Sequence, residues 1–370
     1  MILNVDTEIK HTEKNSDLGR LRRLILKQEK TSKYRRFLSF CLCYDMIFNK
    51  IGYYFPKLLT HTLILYTAVI CFLKVDIIPR GLNGFILTTL VFIQLFTYWR
   101  VINLGAGCPS EFPLLSINRV EDVMNGVEQP ADIIKNNCIC VKRDGSYRFC
   151  RQCKLWKPDR SHHCSKCNKC YLKMDHHCPW FATCVGFRNQ KLFVQFLCYV
   201  TIYSAYVLLL TSLEMYFWFS DAKYETELLN MHLLITWLLA LLSSISTFAF
   251  SCYTIWLVTK NETTIEQYEW NSIRNDLQIY SDSLNCQTSA VNNVFDLGSR
   301  KSNFNSVMGN SWKEWLLPIQ KNVVDSTDCY TNKGLFFPVK SDIYDEYRES
   351  ANLQQRLLSR LSPRSSMENI

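Results

Sequence analysis

Hydrophobic and polar residues in this chain are sorted into long blocks. Four apolar blocks stand out, at about residues 55–72, 85–102, 192–218 and 233–258. Each has the length, roughly 20 residues, that a helix needs to cross the hydrocarbon core of a bilayer, and Lys and Arg are scarce inside all four. Buried helices of a soluble core are the alternative reading. The third and fourth blocks are longer than most soluble helices and are flanked by charge, which favours membrane spans. The pattern predicts an α-helical integral membrane protein with four transmembrane helices. It divides the 370 residues into a basic segment (1–54), spans one and two (55–102), a polar loop (103–191), spans three and four (192–259) and a polar tail (260–370). No internal repeat of fixed period is evident.

Charge sets the orientation. Lys and Arg are dense ahead of and at the start of the first span, from Arg20 through Arg36 to Lys50 and Lys57, and again in the loop between spans two and three. The connection from span one to span two holds only Lys74 and Arg80, and residues 220–230 hold Lys223 against Asp221, Glu225 and Glu227. By the positive-inside rule both termini and the long loop are cytosolic. The net charge of +9 then reads as attraction to an anionic cytosolic leaflet. Nucleic acid is not expected as a partner, since nothing presents a recognition helix. No apolar core of a cleavable signal lies near the start, so the first span can serve as its own signal. Residues 20–50 read either as an interfacial helix or as a disordered basic leader. Residues 311–319 (SWKEWLLPI) can dock on the bilayer through their tryptophans, and the serine-rich end at 359–366 is expected to be disordered.

The loop carries the chemistry. Residues 150–184 contain seven cysteines and four histidines. A closed zinc site takes four such ligands, and Cys-x2-Cys pairs supply two of them from one tight turn. These spacings occur at Cys150/Cys153, Cys164/Cys167 and Cys167/Cys170. With Cys184 and two of His162, His163, His176 and His177, two tetrahedral sites are filled and three candidates are left over. One reading is a purely structural zinc module with redundant ligands. The other uses Cys178, which follows His177 directly and lies about 14 residues before span three. A thiolate there, beside zinc, His and a Lys/Arg excess, is an activated nucleophile held near the membrane surface, with a His to take the proton and Asp175 to orient it. Such a group is placed to attack a long-chain acyl thioester. A reducing cytosol keeps these thiols available.

The run Cys150-x2-Cys153-x9-His163-Cys164-x2-Cys167-x2-Cys170-x4-Asp175-His176-His177-Cys178-x5-Cys184-x4-Asn189-x3-Phe193 resembles the signature of the DHHC protein S-acyltransferases, the palmitoyltransferases. Thr263-Thr264-Ile265-Glu266 is similar to the TTxE motif of that family, and Asn293 to Gly298 with Asn303 and Gly309 resembles its C-terminal aromatic/Asn motif. The layout and the run from Cys178 to Gln190 look most like the vacuolar type of the budding yeasts. The turn Gly105-Ala-Gly107-Cys-Pro109 stands where the family has Asp-Pro-Gly, which leaves the role of that turn open.

This resemblance implies a cytosolic two-zinc cysteine-rich domain between helices 2 and 3, with its core at 148–193. Cys150, Cys153, His163 and Cys170 would hold one structural zinc, and Cys164, Cys167, His177 and Cys184 the other. Cys178 would be the acylated nucleophile, His176 the general base and Asp175 its orienter, with Thr264 fixing Asp175 and Asn303 tying the tail to the spans. Palmitoyl-CoA would be the co-substrate, with Trp180 at the thioester end, Tyr203 near the closed end of the acyl cavity, and Arg188 and Lys191 at the coenzyme A phosphates. The implied partners are acyl-CoA, the bilayer and cytosolic-face proteins with cysteines near the membrane, such as an armadillo-repeat vacuole fusion factor; the implied location is a fungal vacuole membrane. A membrane-anchored interaction module, such as a ubiquitin-ligase adaptor with a cross-braced two-zinc fold, is the alternative from another class.

Overall fold

The structure is a computed structural model of the full chain, and it describes residues 50–138, 147–221, 225, 228–284, 293–319 and 333–339. The expectations for residues 20–49, for Lys223 and Glu227, and for 359–366 lie outside the described residues. Two long helices come first, α1 (Lys50–Lys74) and α2 (Arg80–Leu104), followed by two short ones, α3 (Val120–Met124) and α4 (Asp132–Asn137). Six short strands follow, then long helices α5 (Gln190–Ser220) and α6 (Met231–Thr259). Helix α7 (Thr264–Leu284) and two short helices, α8 (Arg300–Met308) and α9 (Trp312–Leu316), complete the order.

Helices α1, α2, α5 and α6 are long and apolar enough to cross a membrane. Each outruns its apolar block at both ends, because no backbone N–H or C=O can be left unpaired in hydrocarbon and the helix continues until it meets polar surroundings. Helix α2 begins after Pro79 and ends at Gly105, whose φ of 63° breaks the helical path. The side chain of Asn230 caps α6 by accepting the backbone N–H groups of His232 and Leu233 at 3.0 and 3.2 Å. Polar side chains staple the spans: Tyr206 donates its hydroxyl to Asn83 at 3.0 Å, and Trp237 donates to Ser212 at 2.8 Å. Such bonds contribute roughly 0.6 kcal/mol each in a bilayer. Phe85, Phe92, Leu209 and Leu242 stay exposed on the outer faces, as a lipid solvent allows.

The strands form three antiparallel hairpins: β1 (Phe149–Cys150) with β2 (Leu155–Trp156), β3 (His162–Cys164) with β4 (Lys169–Tyr171), and β5 (His176–Cys178) with β6 (Thr183–Val185). They correct the expectation that the chain has no internal repeat. Each strand of the third hairpin starts 14 residues after its counterpart in the second, and Lys154, Asn168 and Ala182, one in each turn, share φ values of 52°, 51° and 51°. The repeat escapes a composition search because only a turn conformation and a few ligands recur.

The tail returns to the spans. Met308 packs with Val194 and Val258, and the side-chain amide nitrogen of Gln195 lies 2.8–3.0 Å from the carbonyls of Glu314, Trp315 and Leu317. Trp312, Leu316, Leu317 and Ile319 remain exposed there, which leaves an apolar edge facing away from the protein.

Candidate active site and metal centres

The hairpin geometry sorts the ligands. In β3/β4, His163 stands opposite Cys170, and in β5/β6, His177 stands opposite Cys184. Each pair meets a Cys-x2-Cys turn from the preceding repeat, so that Cys150, Cys153, His163 and Cys170 converge in one group and Cys164, Cys167, His177 and Cys184 in another, ligand atoms within 4.8 Å of each other. The His163 Nδ1 lies 3.5, 3.3 and 3.7 Å from the sulfurs of Cys150, Cys153 and Cys170. His177 Nδ1 lies 3.6, 3.3 and 3.7 Å from those of Cys164, Cys167 and Cys184. Ligands at about 2.0 Å (N) and about 2.3 Å (S) from a tetrahedral ion stand about 3.5 Å apart, so both groups fit zinc. Four protein donors close each site, as structural zinc requires.

Cys178 belongs to neither group. Shifted by 14 residues, the turn pair Cys150/Cys153 becomes Cys164/Cys167 and then Cys178/Phe181. Cys178 is thus the first thiol of a third turn whose second position carries a ring. Strand alternation does the rest: His176 and Cys178 share one face of β5, while His177 faces the opposite way toward its ligand group. The thiol is buried in a cluster with Tyr98, Phe181, Phe193 and Phe196.

His176 Nδ1 lies 2.6 Å from Asp175 Oδ2, and its ring stands 5.1 Å from that of Phe193, a member of the cluster that holds Cys178. Burial alone would lower the pKa of His176, but the hydrogen bonds and charges of Asp175 and Cys178 raise it to about 9. His162, its counterpart one repeat earlier, has Ser161 in place of an aspartate, and burial together with Arg148 pushes it down to about 4. Asp175 is itself anchored by a residue that follows span four in the sequence. The Thr264 N–H donates to Asp175 Oδ1 at 2.8 Å and the Thr264 hydroxyl donates to the Asp175 carbonyl. Asn303 reaches the Thr259 carbonyl at 3.0 Å and so ties the tail to the end of α6.

Two residues central to this anchor are not named by any motif. Arg160, 2% exposed, donates to both carboxylate oxygens of Glu266 at 2.6 and 2.7 Å, and to the side chain and carbonyl of Asn261 at 3.1 and 2.8 Å. Burial would raise the Glu266 pKa, but the charge and hydrogen bonds of Arg160, with the Thr263 N–H and Lys173, hold it below the usual carboxylate value. The only hint in the sequence is Glu266, a carboxylate in the resembled motif that needs a cation. Its partner lies 106 residues away, beyond any spacing rule. Breaking the pair leaves a buried charge uncompensated, which costs roughly 3–5 kcal/mol. Glu266→Ala is therefore expected to lower the melting temperature and slow acyl transfer, and Arg160→Met combined with Glu266→Leu to recover stability but not rate.

A narrow apolar cavity runs between α1, α5 and α6, lined by Ile64, Thr67, Val200, Tyr203, Val207 and Ala240 among others. Val200 also packs against the cluster that surrounds Cys178. The Tyr203 hydroxyl is pinned to α1 by Thr67 and the Ile64 carbonyl at 2.8 and 2.9 Å. Trp180 is 52% exposed, and its carbonyl accepts from Tyr98 at 2.7 Å. Arg188 forks onto Glu111 in a partly exposed pair, and Lys191 is 6% exposed. The turn that replaces Asp-Pro-Gly has a visible role. The Ala106 and Gly107 carbonyls accept the N–H groups of Arg188 and Leu172 at 3.3 and 3.0 Å, which fastens the end of α2 to the hairpins.

Fold and site together define a multi-pass membrane protein with two ligand groups that fit zinc, a thiol outside both of them, and an apolar cavity between its helices. Residues 143–271 match the family described as DHHC palmitoyltransferase. The chain is 63% identical over 325 residues, 88% of its own length and all of the relative, to palmitoyltransferase PFA3 of Kluyveromyces lactis. It is 42% identical over 315 residues to palmitoyltransferase PFA3 of Saccharomyces cerevisiae, covering 85% of this chain and 94% of that one. Human palmitoyltransferase ZDHHC2 is 37% identical over 192 residues, 51% of this chain and 48% of the human protein. The chain belongs to the DHHC palmitoyltransferase family and is a protein S-palmitoyltransferase.

Proposed function

We propose that the chain moves a long-chain acyl group from acyl-CoA, palmitoyl-CoA in the first place, to protein cysteines through an acyl-enzyme on Cys178. The carrying observation is the Asp175–His176–Cys178 arrangement, with the His176 ring between a 2.6 Å carboxylate contact and the thiol. Cys178 Sγ attacks the thioester carbonyl carbon, the bond to the coenzyme A sulfur breaks, and His176 protonates the departing thiolate. An acceptor cysteine then gives its proton to His176 as its sulfur attacks the acyl carbon, and Cys178 leaves. Asp175 holds the His176 tautomer throughout. Cys150, Cys153, His163 and Cys170 would hold one structural zinc and Cys164, Cys167, His177 and Cys184 the other, which would brace β5 through His177 while His176 and Cys178 lie on its opposite face.

The cavity beside Val200 and Tyr203 would take the acyl tail, and Trp180 would cover the thioester end. Arg188 and Lys191 stay in the proposal as phosphate contacts only through exchange of their present surroundings, Glu111 in the case of Arg188. The charge asymmetry of the loops supports cytosolic termini and a cytosolic cysteine-rich loop. The vacuole membrane and an acceptor such as an armadillo-repeat fusion factor are proposed on the resemblance to the vacuolar type of the budding yeasts.

The test is incubation of purified protein in detergent with alkyne-tagged palmitoyl-CoA, followed by neutral hydroxylamine. Hydroxylamine-labile label that chases onto an added cysteine peptide is expected. A folded, zinc-loaded protein that takes no label would overturn the acyl-enzyme.

A further inference from the structure

The Arg160 guanidinium is held edge-on by Glu266 and Asn261, and aromatic rings cover it. The Phe295 ring centroid lies 4.4 Å from the Arg160 guanidinium carbon and the Phe337 centroid 5.0 Å. Phe337 comes from residues 333–339, a short strap that lies on the cysteine-rich domain although it is far along the tail. Gly334, at φ 80°, rests against Phe187 so closely that a Cβ there would come within 2.5 Å of the ring. Leu335 has no exposure and Phe336 is buried, both in the cluster of Leu115, Trp156 and Leu172. Phe337 stands edge-on to Phe187 at 6.0 Å and to Phe295 at 6.1 Å.

What this ring protects is connected to the reacting thiol. Glu266 Oε2 accepts the Thr263 N–H at 2.9 Å, the next residue, Thr264, holds Asp175, and Asp175 holds His176. We infer that Phe337 is a positioning residue for acyl transfer: the strap at 334–337 excludes water from the Arg160–Glu266 pair, and the dry pair keeps Asp175 and His176 in register with Cys178. A pair opened to water has weaker Coulomb attraction, more freedom and a sensitivity to salt that a covered pair lacks. A cation–π contact of this kind is strongest when desolvated. The inference rests on the Cys178 acyl-enzyme reading above.

The experiment uses full-length protein and compares the rate of acyl-enzyme formation at saturating alkyne-tagged palmitoyl-CoA in wild type, Phe337→Ala, Phe337→Leu and Phe337→Tyr, with Cys178→Ser as the blank. Phe337→Ala is expected to lose about tenfold in rate with the KM for the donor unchanged and both zinc ions retained. Raising salt from about 0.05 M to about 0.5 M should slow Phe337→Ala far more than wild type. Phe337→Tyr should restore rate and salt resistance. Phe337→Leu, which keeps apolar volume and guards against unfolding, should fall between. Three results overturn the inference: Phe337→Ala at wild-type rate in all salt, rate lost only in proportion to lost zinc or fold, or Phe337→Leu equal to wild type in rate and salt response. Absence of Cys178-dependent label in wild type would overturn both readings, whereas normal wild-type label with an unaffected Phe337→Ala would sink the strap alone.

Discussion

Cys178→Ser is expected to abolish acyl-enzyme formation while leaving the fold and both zinc ions in place. The side chain is a member of neither ligand group and sits in an apolar cluster, so exchanging sulfur for oxygen changes volume little. The hydroxyl is a far weaker nucleophile than a thiolate, and removing the nucleophile from an enzyme of this kind lowers the rate on the order of 10⁶-fold. Label from alkyne-tagged palmitoyl-CoA, metal analysis and melting temperature measured on one preparation separate the effects. A variant that transfers normally in cells stripped of related enzymes would show that another residue carries the acyl group.

Loss of one zinc site should have the largest effect on structure. Cys184→Ser removes a donor from the second group, whose other members include His177, the residue between His176 and Cys178. Structural zinc supplies about 10 kcal/mol or more of folding free energy to a small domain. The three hairpins have two or three residues per strand and little core of their own. The sites also interleave: Cys164 and Cys167 lie between His163 and Cys170 of the other site. Cys184→Ser is therefore expected to lower zinc content from two per chain toward none, to open residues 148–193 to protease and to eliminate acylation. Loss of only one ion with the hairpins still protected would mean that the two sites fold independently.

Legibility differed sharply between parts of the molecule. The spans were readable because a bilayer demands long apolar runs, and all four helices contain their expected blocks. The eight ligands were readable because two residues between cysteines is a local turn geometry, and the resemblance resolved which histidines join them. The 14-residue repeat was missed, since it lives in turn conformation and pairing register. Arg188 and Lys191 are expected at the coenzyme A phosphates; that Arg188 forks onto Glu111 and that Lys191 is buried could not be read from spacing, because exposure is a property of packing.

Local spacing and hydropathy alone determined the four helices, the surplus of metal donors and the candidate thiol, each of which depends on residues within about one helix or one turn of each other. Tertiary structure decided the rest. It brought Arg160 to Glu266, Thr264 to Asp175 and Phe337 over the buried guanidinium, joining residues between 89 and 177 positions apart. Contacts at that separation form because apolar burial and charge pairing compensate for loop closure in three dimensions, and that balance leaves no periodicity in the chain.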